Sequence, residues 1–141
     1  MVELHLTFNS LSATRLQASS GKWAGKPGLP EYLFFEVTSP SHPPISAGVV
    51  YRPPHVPFTA GEDKHFITDF VDSMHNYCSK VVMGDFNADQ LSNSAHALFI
   101  KKLISDNALQ SVPFGATFQS DDSEMALDLC LVNSEDRIIN Y

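Results

Sequence analysis

The stretch Lys80-Val81-Val82-Met83-Gly84-Asp85-Phe86-Asn87-Ala88-Asp89 decides how the rest of the chain is read. Val81, Val82 and Met83 are an apolar run without alternation, the pattern of a strand buried on both faces. Gly84 follows, where the backbone can turn without steric cost. In extended backbone the side chains alternate, so Asp85 and Asn87 share one face and Phe86 takes the other. A carboxylate and a carboxamide then stand together at the mouth of a sheet. The first accepts a proton or holds a metal-bound water, and the second donates to an anionic oxygen. The same residues also suit a tight Asx turn after a core strand, so the stretch alone leaves both uses open.

Upstream, Val2, Leu4, Leu6 and Phe8 alternate and predict a strand over 2–8, followed after Asn9-Ser10 by a second over about 12–18. Residues 19–30 are rich in Ser, Gly and Pro and read as a loop. It carries Trp23 between Lys22 and Lys26, a group that can stack on nucleic acid or simply pin the loop to the core. Residues 31–38 are an aromatic-rich strand, 39–44 a Pro-rich turn and 45–52 a further strand. Pro53 and Pro54 end that strand and leave Tyr51 and Arg52 at its C-terminal end. Thr59 and Glu62 have capping-box spacing. Behind them Phe66, Ile67, Phe70, Val71 and Met74 form the core-facing stripe of a helix over about 61–77.

Downstream, residues 92–109 predict a second helix, with Ala95, Leu98, Phe99, Ile100, Leu103 and Ile104 inward and Lys101 and Lys102 outward. Residues 111–115 read as a loop, Thr117-Phe118 as the start of a short strand and 120–124 as a solvated acidic turn. Residues 126–132 are a last apolar strand interrupted by Asp128. A carboxylate buried there without a partner would cost several kcal/mol, so Asp128 has a hydrogen-bond partner or lies at the sheet's end. Helices set among strands give an α/β fold in a single domain spanning 1–141.

At 141 residues, 43% hydrophobic and 18% charged, the chain has the composition of a globular domain rather than a disordered one. No run approaches the length of a membrane span, and the alternating N-terminus lacks the form of a signal peptide. Cys78 and Cys130 predict buried thiols in a reducing, intracellular compartment. The formal charge of −7 opposes non-specific binding to nucleic acid, which draws on a Lys/Arg surplus.

Three constellations remain, each near a strand end: Tyr51 with Arg52, Asp85 with Asn87, and Asp128. Polar groups converging at one sheet edge make a site. This set suits phosphodiester chemistry, with a carboxylate to activate water and a cation and amide to hold the phosphate. A divalent metal would offset the phosphate's charge.

The run Gly48-Val49-Val50-Tyr51-Arg52-Pro53-Pro54, then Met83-Gly84-Asp85-Phe86-Asn87, then Leu127-Asp128-Leu129 resembles the endonuclease/exonuclease/phosphatase family. Within it the chain looks most like the endonuclease domain of non-LTR retrotransposons. The resemblance implies a four-layer α/β sandwich and a Mg²⁺- or Mn²⁺-dependent endonuclease that nicks DNA for an associated reverse transcriptase domain. A nuclear location would follow. It also implies site roles. Asp85 would orient or deprotonate water and hold metal, Asn87 and Tyr51 would contact the phosphate with Arg52 beside them, and Asp128 would polarise a catalytic histidine. Relatives of the same fold that hydrolyse other phosphate esters keep a phosphatase or phosphodiesterase as an alternative.

The family pattern also holds a metal-binding glutamate on an earlier strand and a Ser-Asp-His motif near the end. Neither falls in this sequence, and Glu31, Glu36 and Glu62 do not occupy the glutamate's place in the motif order. The expectation is a partial domain lacking the N-terminal strands and the C-terminal segment, with Asp85 a weak lone metal site. Activity would be weak or absent, and an exposed sheet edge would be open to self-association. A non-catalytic remnant serving as an interaction module is the competing reading.

Overall fold

The computed structural model describes residues 6–8, 11–18, 29–54, 64–113 and 115–133. The readings of residues 2–5, of Asn9-Ser10, of Trp23 with Lys22 and Lys26, and of the Thr59/Glu62 capping box lie outside them. Seven strands form one mixed sheet in the order β1-β2-β3-β4-β5-β9-β6. They are β1 (Leu6–Phe8), β2 (Leu11–Ala18), β3 (Glu31–Ser39), β4 (His42–Tyr51), β5 (Ser79–Asp85), β6 (Gln110–Ser111) and β9 (Asp128–Val132). A separate hairpin pairs β7 (Phe118–Ser120) with β8 (Ser123–Met125). β4 and β5 run parallel. The chain returns between them through α1 (Lys64–His75), and α2 (Ala95–Asp106) follows β5.

Both helices lie in one apolar cluster with a single face of the sheet. Phe66, Phe70 and Met74 of α1 and Ile100 and Leu103 of α2 share that cluster with Phe34, Val50, Val82, Leu129 and Leu131. Aromatic rings fill its centre: Tyr32 lies 5.4 Å from both Phe34 and Phe66, and Phe34 meets Phe70 edge-on at 5.7 Å. Each such ring contributes roughly 1.5–3 kcal/mol by leaving water. Ser46 Oγ donates to the Ser73 carbonyl at 2.7 Å, stitching β4 to α1. The Tyr32 hydroxyl donates to Asp69 at 2.6 Å, and burial together with that carboxylate pushes its pKa well up.

The opposite face follows from register. One row across it is Phe35–Ala47–Val81–Val132, and the next is Leu33–Val49–Met83–Cys130. Val49 is 45% and Met83 51% exposed. The 81–83 run is therefore not buried on both faces: Val82 is inside at 0%, while Met83 faces out. Among the described residues the architecture is one helical layer on one sheet, so two layers of the expected four are present.

Other differences have local causes. The turn expected over 39–44 is confined to 40–41, and Pro43 and Pro44 lie in β4. They precede Ile45, where pairing with β5 begins, so on that side no ladder bond is lost to their missing N–H. α2 starts later than expected because Ser94 caps it, accepting from the Ala97 N–H. That register exposes Ala95 and Leu98 and buries Ala97 instead. Ser111, expected to open the loop over 111–115, instead pairs with β9 together with Gln110. Cys78 is exposed and Cys130 half-buried, rather than both buried, and both thiols are free.

Candidate functional site

Gly84 sits within β5 rather than at a turn. A Cβ there would lie 1.8 Å from the Val50 carbonyl oxygen, and its φ of 155° disfavours side chains. The glycine thus lets β4 and β5 run close together just where both end, at Tyr51 and Asp85. Arg52 N–H continues the pairing by donating to the Asp85 carbonyl at 2.8 Å.

Beyond Asp85 the chain stops being extended. Asn87 has φ 45°, a left-handed conformation that asparagine tolerates. Its N–H donates to Asp85 Oδ1 at 2.9 Å, and its side-chain amide donates to the Arg52 carbonyl at 2.6 Å. The Asx turn and the site are therefore one structure. Phe86 points into the core at 1% exposure, while Asp85 and Asn87 stay half-buried, as the alternation required for these three residues.

Register then assembles the site. Glu31 pairs with Tyr51, Tyr51 with Asp85, and Asp85 with Asp128, so four polar residues cross the sheet in one row. The row bounds the open face at one end of the strands. Phe86 N–H donates to the Leu127 carbonyl, which makes those two a hydrogen-bonded pair. Asp85 and Asp128 are then the adjoining non-hydrogen-bonded pair, whose side chains stand closest, with Cβ atoms roughly 4.5–5.5 Å apart. Asp128 lies at the start of β9, exposed, with its backbone N–H held by Thr117 Oγ1 at 3.0 Å. Its place in an apolar strand is thereby explained by the sheet's end.

Arg52 is not part of this row. Next in the alternation after Tyr51, it turns inward and is 1% exposed. Reading it beside the phosphate placed it by sequence adjacency, whereas in a strand adjacent residues face opposite ways.

Two contributors escaped the sequence. Asp89 Oδ1 accepts from the N–H groups of Leu91 and Ala126, tying the loop after β5 to the approach of β9. Thr117 Oγ1 holds the Leu127 and Asp128 N–H groups. Both act through pairings 37 and about ten residues away, which no local pattern announces. A cavity of about 420 Å³ adjoins Asn87, lined also by Pro54, Asp89, Ser92, His96 and Phe118.

Among the described residues no group of three or more His, Cys, Asp or Glu is placed to hold a metal ion. Asp85 and Asp128 supply two carboxylates, a set suited to a hydrated ion shared with a substrate phosphate and not to a closed protein cage. No helix among the described residues is long and apolar enough to cross a membrane.

The site is thus an acidic row at one end of a sheet-dominated α/β fold. Compared with solved structures, the chain is similar to the endonuclease domain of TRAS1, a telomere-specific non-LTR retrotransposon, with a TM-score of 0.54 at 11% identity. The match covers 88% of this chain and 65% of that one, so the chain spans less than two thirds of that domain's length. An endonuclease/exonuclease/phosphatase family protein from Leptotrichia buccalis C-1013-b matches with a TM-score of 0.45 at 17% identity, over 74% of this chain and 42% of that one. A functionally unknown conserved protein from Enterococcus faecalis V583 matches at 0.41 and 15%, over 73% and 43%. No family model matches the sequence, and no curated protein does. The resemblance read from the motifs is met at the level of fold.

Proposed function

We propose that the acidic row is the remnant or working centre of a phosphodiester-cleaving site, and that the chain is a DNA endonuclease of the retrotransposon type with weak activity. The observation that carries this reading is the register that sets Tyr51, Asp85 and Asp128 side by side, with Asn87 at the row's edge. In this reading Asp85 orients or deprotonates the attacking water, and Tyr51 and the free donor capacity of Asn87 meet the phosphate oxygens. Asp128 faces Asp85 across the strand pair. A bound Mg²⁺ or Mn²⁺ would supply charge neutralisation at the phosphate, held by these two carboxylates. DNA is the proposed substrate, a reverse transcriptase domain in the parent polyprotein the proposed partner, and the nucleus the proposed location. The four-layer sandwich and the partial-domain reading belong to the same proposal.

A non-catalytic reading also has an observation behind it. No third metal-ligating side chain joins the two aspartates among the described residues. The two readings separate in a nicking assay on supercoiled plasmid with Mg²⁺, comparing the native chain with Asp85→Ala. The expected result is slow nicking that falls by roughly 10²–10⁴-fold in the variant, the usual contribution of a positioned acid or base. A folded native chain that nicks no faster than the variant would leave the row a scaffold.

A further inference from the structure

We propose that Thr117 is a positioning residue, fixing from the base of the β7–β8 hairpin where the Asp128 carboxylate stands opposite Asp85. The role rests on reading the acidic row as a phosphodiester-cleaving site. Over residues 126–128 each backbone N–H meets a side-chain oxygen. Ala126 donates to Asp89 Oδ1 at 3.0 Å, Leu127 to Thr117 Oγ1 at 3.1 Å and Asp128 to that same oxygen at 3.0 Å. In an extended strand successive N–H groups point to opposite sides. For Leu127 and Asp128 to reach one oxygen, the chain must bend between them. β9 begins at Asp128, directly past that bend.

The neighbouring strands do not supply this hold. β6 pairs with β9 at Leu131 and Val132, farther along the strand, so on that side Thr117 stands where the ladder has run out. Thr117 is itself fixed, its N–H donating to the Met125 carbonyl at 2.9 Å, beside the Phe118–Met125 pair of the hairpin.

Exposure separates the two side chains that grip this segment. Ala126 is 7% exposed, so without Asp89 its N–H would be stranded, and Asp89 contributes to stability. Thr117 and Asp128 are exposed, so water can take over either N–H if the hydroxyl is lost. Stability then changes little. Water does not, however, fix the direction of a bend. Asp128 opens its strand facing a second carboxylate, Asp85, and like charges directly opposite push a strand end apart. Thr117 is the group placed to resist that push. Its loss therefore acts on where Asp128 stands more than on whether the chain folds.

The test compares the full 141-residue chain with Thr117→Val, which keeps the shape without the hydroxyl, and Thr117→Ser, which keeps the acceptor. Non-hydrogen-bonded pairs bring the two Cα atoms closest, so each gives a strong Hα–Hα NOE. Thr117→Val should lose the NOE between Asp85 and Asp128 and keep the one between Met83 and Cys130, two positions along the same ladder. Thr117→Ser should retain both. In the nicking assay the rate at saturating chain should fall by roughly 10²-fold in Thr117→Val, the usual cost of a small misplacement. The half-saturating concentration should stay the same, and Thr117→Ser should restore the rate. A native chain that does not nick defeats the cleavage reading, while the NOE pair still decides what Thr117 holds. Should Thr117→Val not fold, amide exchange in the native chain decides: the Leu127 and Asp128 N–H groups should be protected, and exchange at the rate of free amides overturns the proposal. An Asp85–Asp128 NOE that survives in Thr117→Val overturns it as well. So do the loss of both NOEs, which would make Thr117 a support of the whole strand pair, and nicking that continues unchanged without the hydroxyl.

Discussion

Val82 and Met83 are neighbours on β5, yet one is 0% and the other 51% exposed. The difference is a property of the sheet's two faces and not of the residues. One face is closed by α1 and α2 over a ring of aromatics; the other has equally apolar rows with no element of the described residues upon it. Stability is concentrated in the first face. The acidic row sits at the rim of the second. The chain therefore separates what holds it together from what it presents to others.

The strongest way to break this arrangement acts where the two faces meet, at the backbone itself. Gly84→Ala drives a Cβ into the Val50 carbonyl from a backbone angle that alanine resists. The β4–β5 contact cannot relax without moving Tyr51 away from Asp85. Loss of roughly 3–5 kcal/mol is expected, a large part of the total stability of a small domain. Chemical denaturation measures it. A loss under about 1 kcal/mol would mean that the close approach of the strands is dispensable.

Next in size comes the comparison within the strand. Val82→Ala leaves a cavity in the helix-covered core, beside its strand partner Leu131, and should cost about 2 kcal/mol. Met83→Ala removes a larger side chain and should cost under about 0.5 kcal/mol, since that side chain is half in water already. Chemical denaturation of the two variants measures the contrast, and equal losses would mean that the two faces are alike in what they hold.

This contrast also shows how far the sequence could be read. The helical stripe of Phe66, Phe70 and Met74 was legible because a 3.6-residue period maps directly onto a buried face. Asp85, Asn87 and Asp128 were legible as polar residues at the ends of apolar runs, and Tyr51 because prolines stop its strand. The exposure of Met83 was not, because an apolar residue reads the same whether its face is covered or awaiting cover. Arg52 was misplaced since motif adjacency hides the alternation of a strand. Glu31 joined the row only through the register of β3 with β4, which is set 20 residues away at Tyr51. Asp89 and Thr117 work through contacts between loops, where no period exists to reveal them.

The smallest expected effect tests the site as a site. Asp85 and Asp128 are like charges in a non-hydrogen-bonded strand pair, an arrangement that destabilises by an amount comparable to a good cross-strand pair. Asp128→Asn keeps the shape and the Thr117 contact to the backbone N–H, and removes the repulsion. It should stabilise the chain by roughly 0.2–1 kcal/mol at low ionic strength, with the gain shrinking as salt screens the pair. Thermal melts of the variant and the native chain across a salt series measure both. A stabilised variant with reduced nicking would mark the facing carboxylates as strain retained for chemistry. A variant that is less stable at every salt concentration would mean that Asp128 is held by a favourable partner, and that the row is structural at this position.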